Sequence, residues 1–351
     1  TTNTNVAFTV RAVSEDVLIT VTADKKASRD VLKLAGADHV VQLSSTLGTE
    51  LANRILGTTG RAHIIGAIGE ACVAEAATKG TTMVGLTLAQ AQHRIQTHAH
   101  ILAVMRRGRL VPLAPDDVLD DGMVLIIAGT RADLEGYDDQ FQNPQQLEGP
   151  VLVLGGGRVG RAVAETFEAS NVPYMIVEQV PSRVPAHLNF IEGDAADFDV
   201  LEDAGLHDAS GVVITSHDDD LNVYLTLYCH RLRPELQVIS RATSEHNVAT
   251  LYRAGADSVL SYATIGATAM WNKLGRSHRV VIAEGNELFT VPLPRALDGV
   301  ALRDKKILAA TGCHVVGALD SQTQLLPETE HVSADDASTL LLLGDRHAER
   351  A

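Results

Sequence analysis

Short apolar runs, each closed by a serine, an alanine or an acidic residue, or running straight into glycine, recur along the second half of the chain at residues 151–154, 174–178, 190–195, 212–216 and 238–242. The uninterrupted apolar run at 151–154 predicts a strand covered on both faces, the kind found in parallel sheets. After the first run, Val159, Val163 and Phe167 return every fourth residue, which predicts a helix with one buried face. Strands alternating with helices predict a doubly wound α/β sheet. The start of the chain has a different order. Residues 5–10 read as a helix already under way, 17–21 as a strand, 28–34 as a helix and 35–38 as a turn. A short strand at 40–41 and a helix at 47–56 follow.

That opening order returns later. Asn222-Val223-Tyr224-Leu225-Thr226 matches Asn5-Val6-Ala7-Phe8-Thr9, and Val238-Ile239-Ser240-Arg241-Ala242 matches Ile19-Thr20-Val21-Thr22-Ala23. Ala254-Gly255-Ala256-Asp257 repeats Ala35-Gly36-Ala37-Asp38, and residues 264–274 parallel 47–56. Order is kept and spacing nearly so, with two extra residues before the later strand. An internal repeat decides the architecture before any single element does. It runs on: Gly85-Leu86-Thr87-Leu88 is echoed by Gly299-Val300-Ala301-Leu302, 101–104 by 315–318, and 124–129 by 339–344.

Each half therefore holds a Rossmann-like α/β piece followed by a small α+β module. The divisions fall at 1–66, 67–137, 150–282 and 283–351, with 138–149 as linker; all of 131–149, rich in Asp and Gln with Pro144, reads as connection. Laid together, the copies align Thr1 with about Asp218, so residues 151–217 have no counterpart in the first half. A first copy without its opening strands exposes a sheet edge. The chain is accordingly read as part of a longer polypeptide.

The candidate chemistry starts at Gly155-Gly156-Gly157-Arg158-Val159-Gly160, a Gly-x-Gly-x-x-Gly turn with a strand before it and a helix after it. In such a turn Gly155 allows the sharp bend, Gly157 lets a phosphate approach the backbone, and Gly160 lets helix pack on strand. The helix N-terminus then offers free N–H groups to an anion. Glu178 closes the second strand at the spacing where a carboxylate accepts ribose hydroxyls, which favours NAD or an adenine nucleotide over NADP. Asp194 and Ala195 end the third strand near an adenine ring, and Thr215 ends the fourth as a phosphate or ribose contact. Arg241 ends the fifth, where it pairs either with a phosphate or with an acid at a subunit contact.

Other polar clusters add less. Asp218-Asp219-Asp220 invites a hard cation through oxygen, but a solvated acidic turn opening a helix is the simpler reading; Asp116-Asp117 and Asp120-Asp121 invite the same pair of readings. His93, His98 and His100 lack partners at zinc spacing, so no metal ligands are assigned. The net charge of −15 over 351 residues argues against a nucleic-acid partner. Cys72, Cys229 and Cys313 are too scattered for a metal site and read as reduced core thiols. No apolar run is long enough to span a bilayer.

Together, the turn at 155–160, Glu178, Gly193-Asp194-Ala195, the Asn222 helix, Ser240-Arg241-Ala242 and Ala254-Gly255-Ala256-Asp257 resemble an RCK domain, the regulator of potassium conductance. The module from about Ala283 is similar to that family's C-terminal subdomain, and the likeness covers the chain twice. The resemblance implies tandem RCK domains of a prokaryotic potassium channel that sense a ligand and are not an enzyme. It implies a nucleotide, NAD or ADP/ATP, held by Gly155, Gly157, Arg158, Val159, Glu178, Asp194, Ala195 and Thr215, with Gly160 and Arg241 completing the set. A divalent cation such as calcium is a second candidate ligand. The implied assembly is a homo-oligomer, a tetramer forming a ring of eight RCK domains at the cytoplasmic face of the membrane, with a pore domain upstream. Tyr224, Leu227, Tyr228, Met270 and Trp271 are candidate assembly contacts, or else core.

The sequence departs from the pattern twice. The first half has no glycine turn, and Ala337 stands where the first module has Gly122. One alternative is a soluble Trk-type potassium-uptake subunit. The other is an NAD-dependent oxidoreductase, which needs an acid–base residue that the sequence does not nominate.

Overall fold

The computed structural model describes residues 2–23, 25, 27–56, 62–106, 109–111, 113–141, 149–274, 279–283, 286–293, 312–320 and 338–345. The echo at 299–302, Ala337 and residues 142–148 of the connecting stretch lie outside the described residues. The chain forms two units, one from Thr1–Ile55 with Leu147–Arg276 and the other from Leu56–Gln146 with Ser277–Ala351.

The first unit opens with α1 (Thr2–Val13), β1 (Thr20–Thr22), α2 (Ser28–Leu34), β2 (His39–Val41) and α3 (Leu43–Leu56). Strand β1 is shorter than the sequence predicts because its parallel partner β2 offers only Thr20↔His39 to Thr22↔Val41 for pairing. Val17 and Leu18 are left exposed. After α2 the chain turns at Gly36 with φ +94°, a left-handed conformation that glycine adopts without strain. The Asp38 carboxylate then accepts the Ile19 N–H at 2.7 Å while the Asp38 N–H donates back to the Ile19 carbonyl at 2.9 Å. That backbone hydrogen bond, more than the Arg11 guanidinium beside it, holds the Asp38 carboxyl below its ordinary value.

The second unit begins with β3 (His63–Ile68), β4 (Ala71–Ala77), α4 (Leu88–Arg94), β5 (His100–Arg106), β6 (Arg109–Val111), β7 (Val124–Gly129) and α5 (Arg131–Phe141). Its strands form an antiparallel sheet in the order β3-β4-β7-β5-β6. Alternation along β4 sends Cys72, Ala74 and Ala76 into one core and Ala71 and Val73 into another. The first core is closed by α5, whose Leu134, Tyr137 and Phe141 are buried in it. This corrects the reading of 131–149 as connection: an apolar stripe at spacings of three and four makes residues 131–141 a core helix despite their acidic composition.

The chain then returns to the first unit with β8 (Val151–Leu154), α6 (Arg158–Ala169), β9 (Tyr174–Glu178), β10 (Phe190–Glu192), α7 (Phe198–Asp203) and β11 (Gly211–Ile214). It continues through α8 (Asp219–Leu232), β12 (Gln237–Ala242), α9 (Val248–Ala254), β13 (Ser258–Ser261) and α10 (Tyr262–Lys273). The six strands are parallel in the order β10-β9-β8-β11-β12-β13, the doubly wound order in which successive strands are added first to one side of β8 and then, from β11, to the other. The later Ala-Gly-Ala-Asp segment does what the earlier one does. Gly255 has φ +110°, the Asp257 carboxylate accepts the Val238 N–H at 2.8 Å, and the Asp257 N–H donates to the Val238 carbonyl at 2.8 Å. The two repeats also pack together inside this unit. A Cβ on Gly48 of α3 would lie 2.5 Å from the Ala162 Cβ of α6, so the glycine lets the two helices pack closely.

The second unit is completed by β14 (Arg279–Ala283), β15 (Asn286–Pro292), β16 (His314–Leu319) and β17 (Thr339–Asp345), an antiparallel sheet in the order β14-β15-β17-β16. Val280, Ile282, Leu288, Leu341 and Leu343 share a buried cluster with Val73 and Ile126, so the small modules of the two repeats join face to face. The boundaries read at 66 and 282 fall inside β3 and β14, because each of those strands pairs with its own module.

Tyr137 tests the role of α5. Its hydroxyl is buried with no hydrogen-bond partner among the described residues. Tyr137→Phe is expected to leave stability unchanged or slightly raised, and Tyr137→Ala to lower it by about 3–5 kcal/mol in urea unfolding. A loss under about 1 kcal/mol for the alanine variant would return the segment to a linker.

Candidate functional site

Three residues separate β8 from α6, and the tightness of the connection rests on glycine. Gly155 has φ +110°, and a Cβ on Gly160 would sit 1.8 Å from the Gly155 carbonyl oxygen. The Thr215 hydroxyl, just past β11, donates to that same carbonyl at 2.8 Å. Gly157 behaves differently. It is the N-cap of α6, supplies no side-chain cap, and a Cβ placed on it would meet nothing within 4 Å. The fold does not require glycine there. The first N–H groups of α6 thus open on a cavity.

That cavity, about 680 Å³, lies at the carboxyl ends of the parallel strands where their order reverses. Gly155, Gly157, Arg158 and Val159 line it from the turn; Glu178, Asp194 and Ala195 from β9 and the loop after β10; Thr215 and Arg241 from β11 and β12. Gly160 is not on the wall; it packs behind, against Gly155. The structure therefore brings nine of the ten sequence-predicted residues to one cavity and assigns the tenth to the turn that shapes it.

Several of these groups already have partners. Glu178 is buried, its Oε2 accepting the Gly156 N–H at 2.7 Å and its Oε1 the Val180 N–H at 3.0 Å, with Arg183 Nη1 at 3.3 Å. It braces the glycine turn as well as facing the cavity. Asp194 lies exposed on the rim and accepts the Ala196 N–H at 2.9 Å. Arg241 lies half-buried over the Tyr262 ring at 4.9 Å, and its Nε is buried with no hydrogen-bond partner among the described residues. Burial foremost, and the Arg158 charge, pull its proton affinity down against the pull of Tyr262 and Asp219. A desolvated guanidinium in that state favours an arriving anion.

The sequence did not nominate Arg183, Tyr262 or Ser44, which also line the cavity. Arg183 follows β9 by five residues and carried no motif. Ser44 belongs to α3 of the first repeat, so no local pattern could have pointed to it.

Two carboxylates of the acidic turn bond nearby N–H groups. Asp218 caps α8, accepting the Asp220 and Leu221 N–H groups at 3.0 and 3.3 Å. Asp219 accepts the Thr243 and Ser244 N–H groups and the Asn247 amide at 2.7, 2.9 and 2.9 Å. Burial opposes ionisation of Asp219, but those bonds, the Asn247 amide first, hold its carboxyl below the ordinary value. In the first module Asp117 accepts the Ala114 N–H at 2.7 Å, and Asp120 accepts the Gly122 N–H at 3.0 Å and pairs with Arg106. Among the described residues no three His, Cys, Asp or Glu side chains gather as metal ligands. His98 lies 3.5 Å from Asp133, and His100 meets the Gln92 amide at 3.2 Å. Of the candidate assembly contacts, Tyr224, Leu227 and Trp271 are exposed. Tyr228 and Met270 are half-buried, with Tyr228 stacked on Tyr224 at 5.7 Å. No helix among the described residues is long and apolar enough to cross a membrane.

Residues 151–262 match the TrkA-N domain family and residues 73–142 the TrkA-C domain family. The chain is similar to potassium channel protein 1 of Methanocaldococcus jannaschii, 29% identical over 129 residues, covering 35% of this chain and 38% of that protein. It is also similar to the Trk system potassium uptake protein TrkA homolog of Pyrococcus abyssi, 30% identical over 98 residues, covering 26% of this chain and 43% of that protein. These matches span less than half the length of either relative. Among solved structures, the GsuK RCK domain superposes with a TM-score of 0.66 at 30% identity, covering 99% of this chain and 76% of that one. The GsuK channel bound to NAD superposes with a TM-score of 0.65 at 30% identity, covering 99% and 64%.

The contrast between two glycines tests the cavity. Gly160→Ala is expected to lose on the order of 3 kcal/mol of stability, because Cβ and carbonyl would occupy one place. Gly157→Ala should lose under about 1 kcal/mol yet weaken binding of an adenine nucleotide at least tenfold (about 1.4 kcal/mol) in titration calorimetry. Unchanged affinity in Gly157→Ala would mean the turn is fold alone.

Proposed function

This chain belongs to the RCK family, and from that premise we propose that it is the nucleotide-sensing regulatory part of a potassium channel. The open N-terminus of α6 carries this reading: Gly157 leaves room that the fold itself does not use, and Arg158 and Arg241 line the same space. An adenine nucleotide fits with its ribose at Glu178, its base toward Asp194 and Ala195, and its phosphates over Gly157. NAD and ADP/ATP all meet that description, and a relative's structure holding NAD supports the class. Asp218 and Asp219 serve the backbone in this reading, so a divalent cation is not needed at the cleft.

Regulation follows by population shift. A ligand that binds one arrangement of paired RCK domains better than another stabilises it by its difference in affinity. The exposed Tyr224, Leu227 and Trp271 supply apolar contacts for that pairing. In a tetramer the chains would build a ring of eight domains at the cytoplasmic face of the membrane, below the pore. A soluble Trk-type uptake subunit would use the same site and differ in the membrane partner. An oxidoreductase would place its nicotinamide beyond β11, where Arg241 and Tyr262 lie; steady hydride transfer from NADH to carbonyl compounds would overturn the sensor.

Glu178→Gln keeps an oxygen for the Gly156 N–H but removes the charge. It is expected to weaken NAD and ADP about tenfold in titration calorimetry, and unchanged affinity would remove Glu178 from the ribose. In membrane vesicles holding the transport protein that this chain regulates, nucleotide is expected to change potassium flux. Flux indifferent to nucleotide would overturn the regulatory reading.

A further inference from the structure

One end of the cavity lies beyond β9, toward the sheet edge formed by β10. A ligand with its phosphate at α6 and its ribose at Glu178 would carry its base to that end. Two short segments line it: Gly193-Asp194-Ala195 after β10, and Arg183 in the single 3₁₀ turn Pro181–Arg183 after β9. Both hang from Glu178. Its carbonyl accepts the Gly193 N–H at 3.1 Å, and its Oε1 accepts the Val180 N–H and Arg183 Nη1 at 3.0 and 3.3 Å.

The backbone of each segment is fixed. A Cβ on Gly193 would lie 2.6 Å from Val200 of α7, so the loop after β10 rests on that helix. The 3₁₀ turn is held against the glycine turn instead. Buried Val184 fills the place of any side chain on Gly156, and Arg161 of α6 donates to the Arg183 carbonyl at 3.0 Å. The Arg183 side chain is held less. It is 57% exposed, and its one side-chain hydrogen bond among the described residues goes to a carboxylate whose two oxygens already accept backbone N–H groups. An ion pair with one partner so exposed adds little to stability. What arginine offers there beyond a lysine is a flat, delocalised face that stacks on an aromatic ring.

We propose, resting on the nucleotide reading above, that Arg183 is the base-recognition residue of the cleft. Its guanidinium lies flat on the base while one N–H stays on Glu178. Stacking grows with the area of ring overlap, so a purine is held better than a pyrimidine. The ligand class is thereby narrowed to purine nucleotides, and the selection is made at the base, away from the phosphates. Because Arg183 also bonds the carboxylate assigned to the ribose, base and sugar are read by one ion pair.

The test is titration calorimetry of ADP and CDP on the whole chain. The two share ribose and phosphates, so the ratio of their affinities reports the base alone. In the unaltered chain ADP is expected to bind at least about fivefold tighter. Arg183→Lys keeps a positive charge beside Glu178 but removes the plane, and the ratio is expected to fall at least about threefold. A role confined to holding Glu178 would change both affinities equally and leave the ratio where it was. Equal affinities in the unaltered chain, or an unchanged ratio in Arg183→Lys, would overturn the assignment and leave the nucleotide reading standing. Failure of the unaltered chain to bind either nucleotide would strike that reading, and this assignment with it.

Discussion

The carbonyl oxygen of Gly155 occupies the place where any side chain on residue 160 would have to be. That contact sets how closely α6 can approach β8, and with it the direction of the helix N-terminus. Thr215 fixes the same oxygen from β11, so the turn is tied to the strands on both sides of the reversal in sheet order. Glu178 ties the turn a third time, through the Gly156 N–H from β9. Three strands thus converge on three consecutive glycines, and the cavity is the space that this convergence leaves. Loosen the Gly155–Gly160 contact and the N–H groups of α6 no longer converge on one point.

The repeat imposes a second constraint. Asp38 and Asp257 bind the start of the preceding strand in the same reciprocal way, after glycines with the same left-handed backbone. This local device keeps a strand–helix–strand piece in shape even where, as in the first repeat, the sheet contains only a pair of described strands. Its following helix, α3, then packs on the glycine-turn helix of the other copy through Gly48. The repeats are therefore joined where a glycine lets two helices approach closely, next to the cavity.

The parts of the fold fixed by local pattern were legible in the sequence. The central strand β8 announces itself as an unbroken apolar run, and the glycine turn announces itself by spacing. The repeat was legible because Ala-Gly-Ala-Asp performs one local task twice. Helix α5 was not, because its Asp and Gln content hid an apolar stripe of Leu134, Tyr137 and Phe141 whose partners lie in a sheet remote in sequence. Within the site, residues at strand ends were legible, since the doubly wound order sends strand ends to one edge. Arg183, Tyr262 and Ser44 were not, because each reaches the cavity through tertiary packing. The acidic turn at 218–220 illustrates the opposite case: a cluster that looks like cation chemistry, but Asp218 and Asp219 are engaged by N–H groups of α8 and the loop after β12.

The most direct measurement is amide hydrogen exchange across the whole chain, with and without saturating ADP. Free N–H groups at the start of α6 exchange readily until an anion accepts their hydrogen bonds. Slowed exchange at residues 157–160 on adding ADP is the predicted result. Exchange at those amides that is the same with and without nucleotide would contradict a phosphate cradle at this turn.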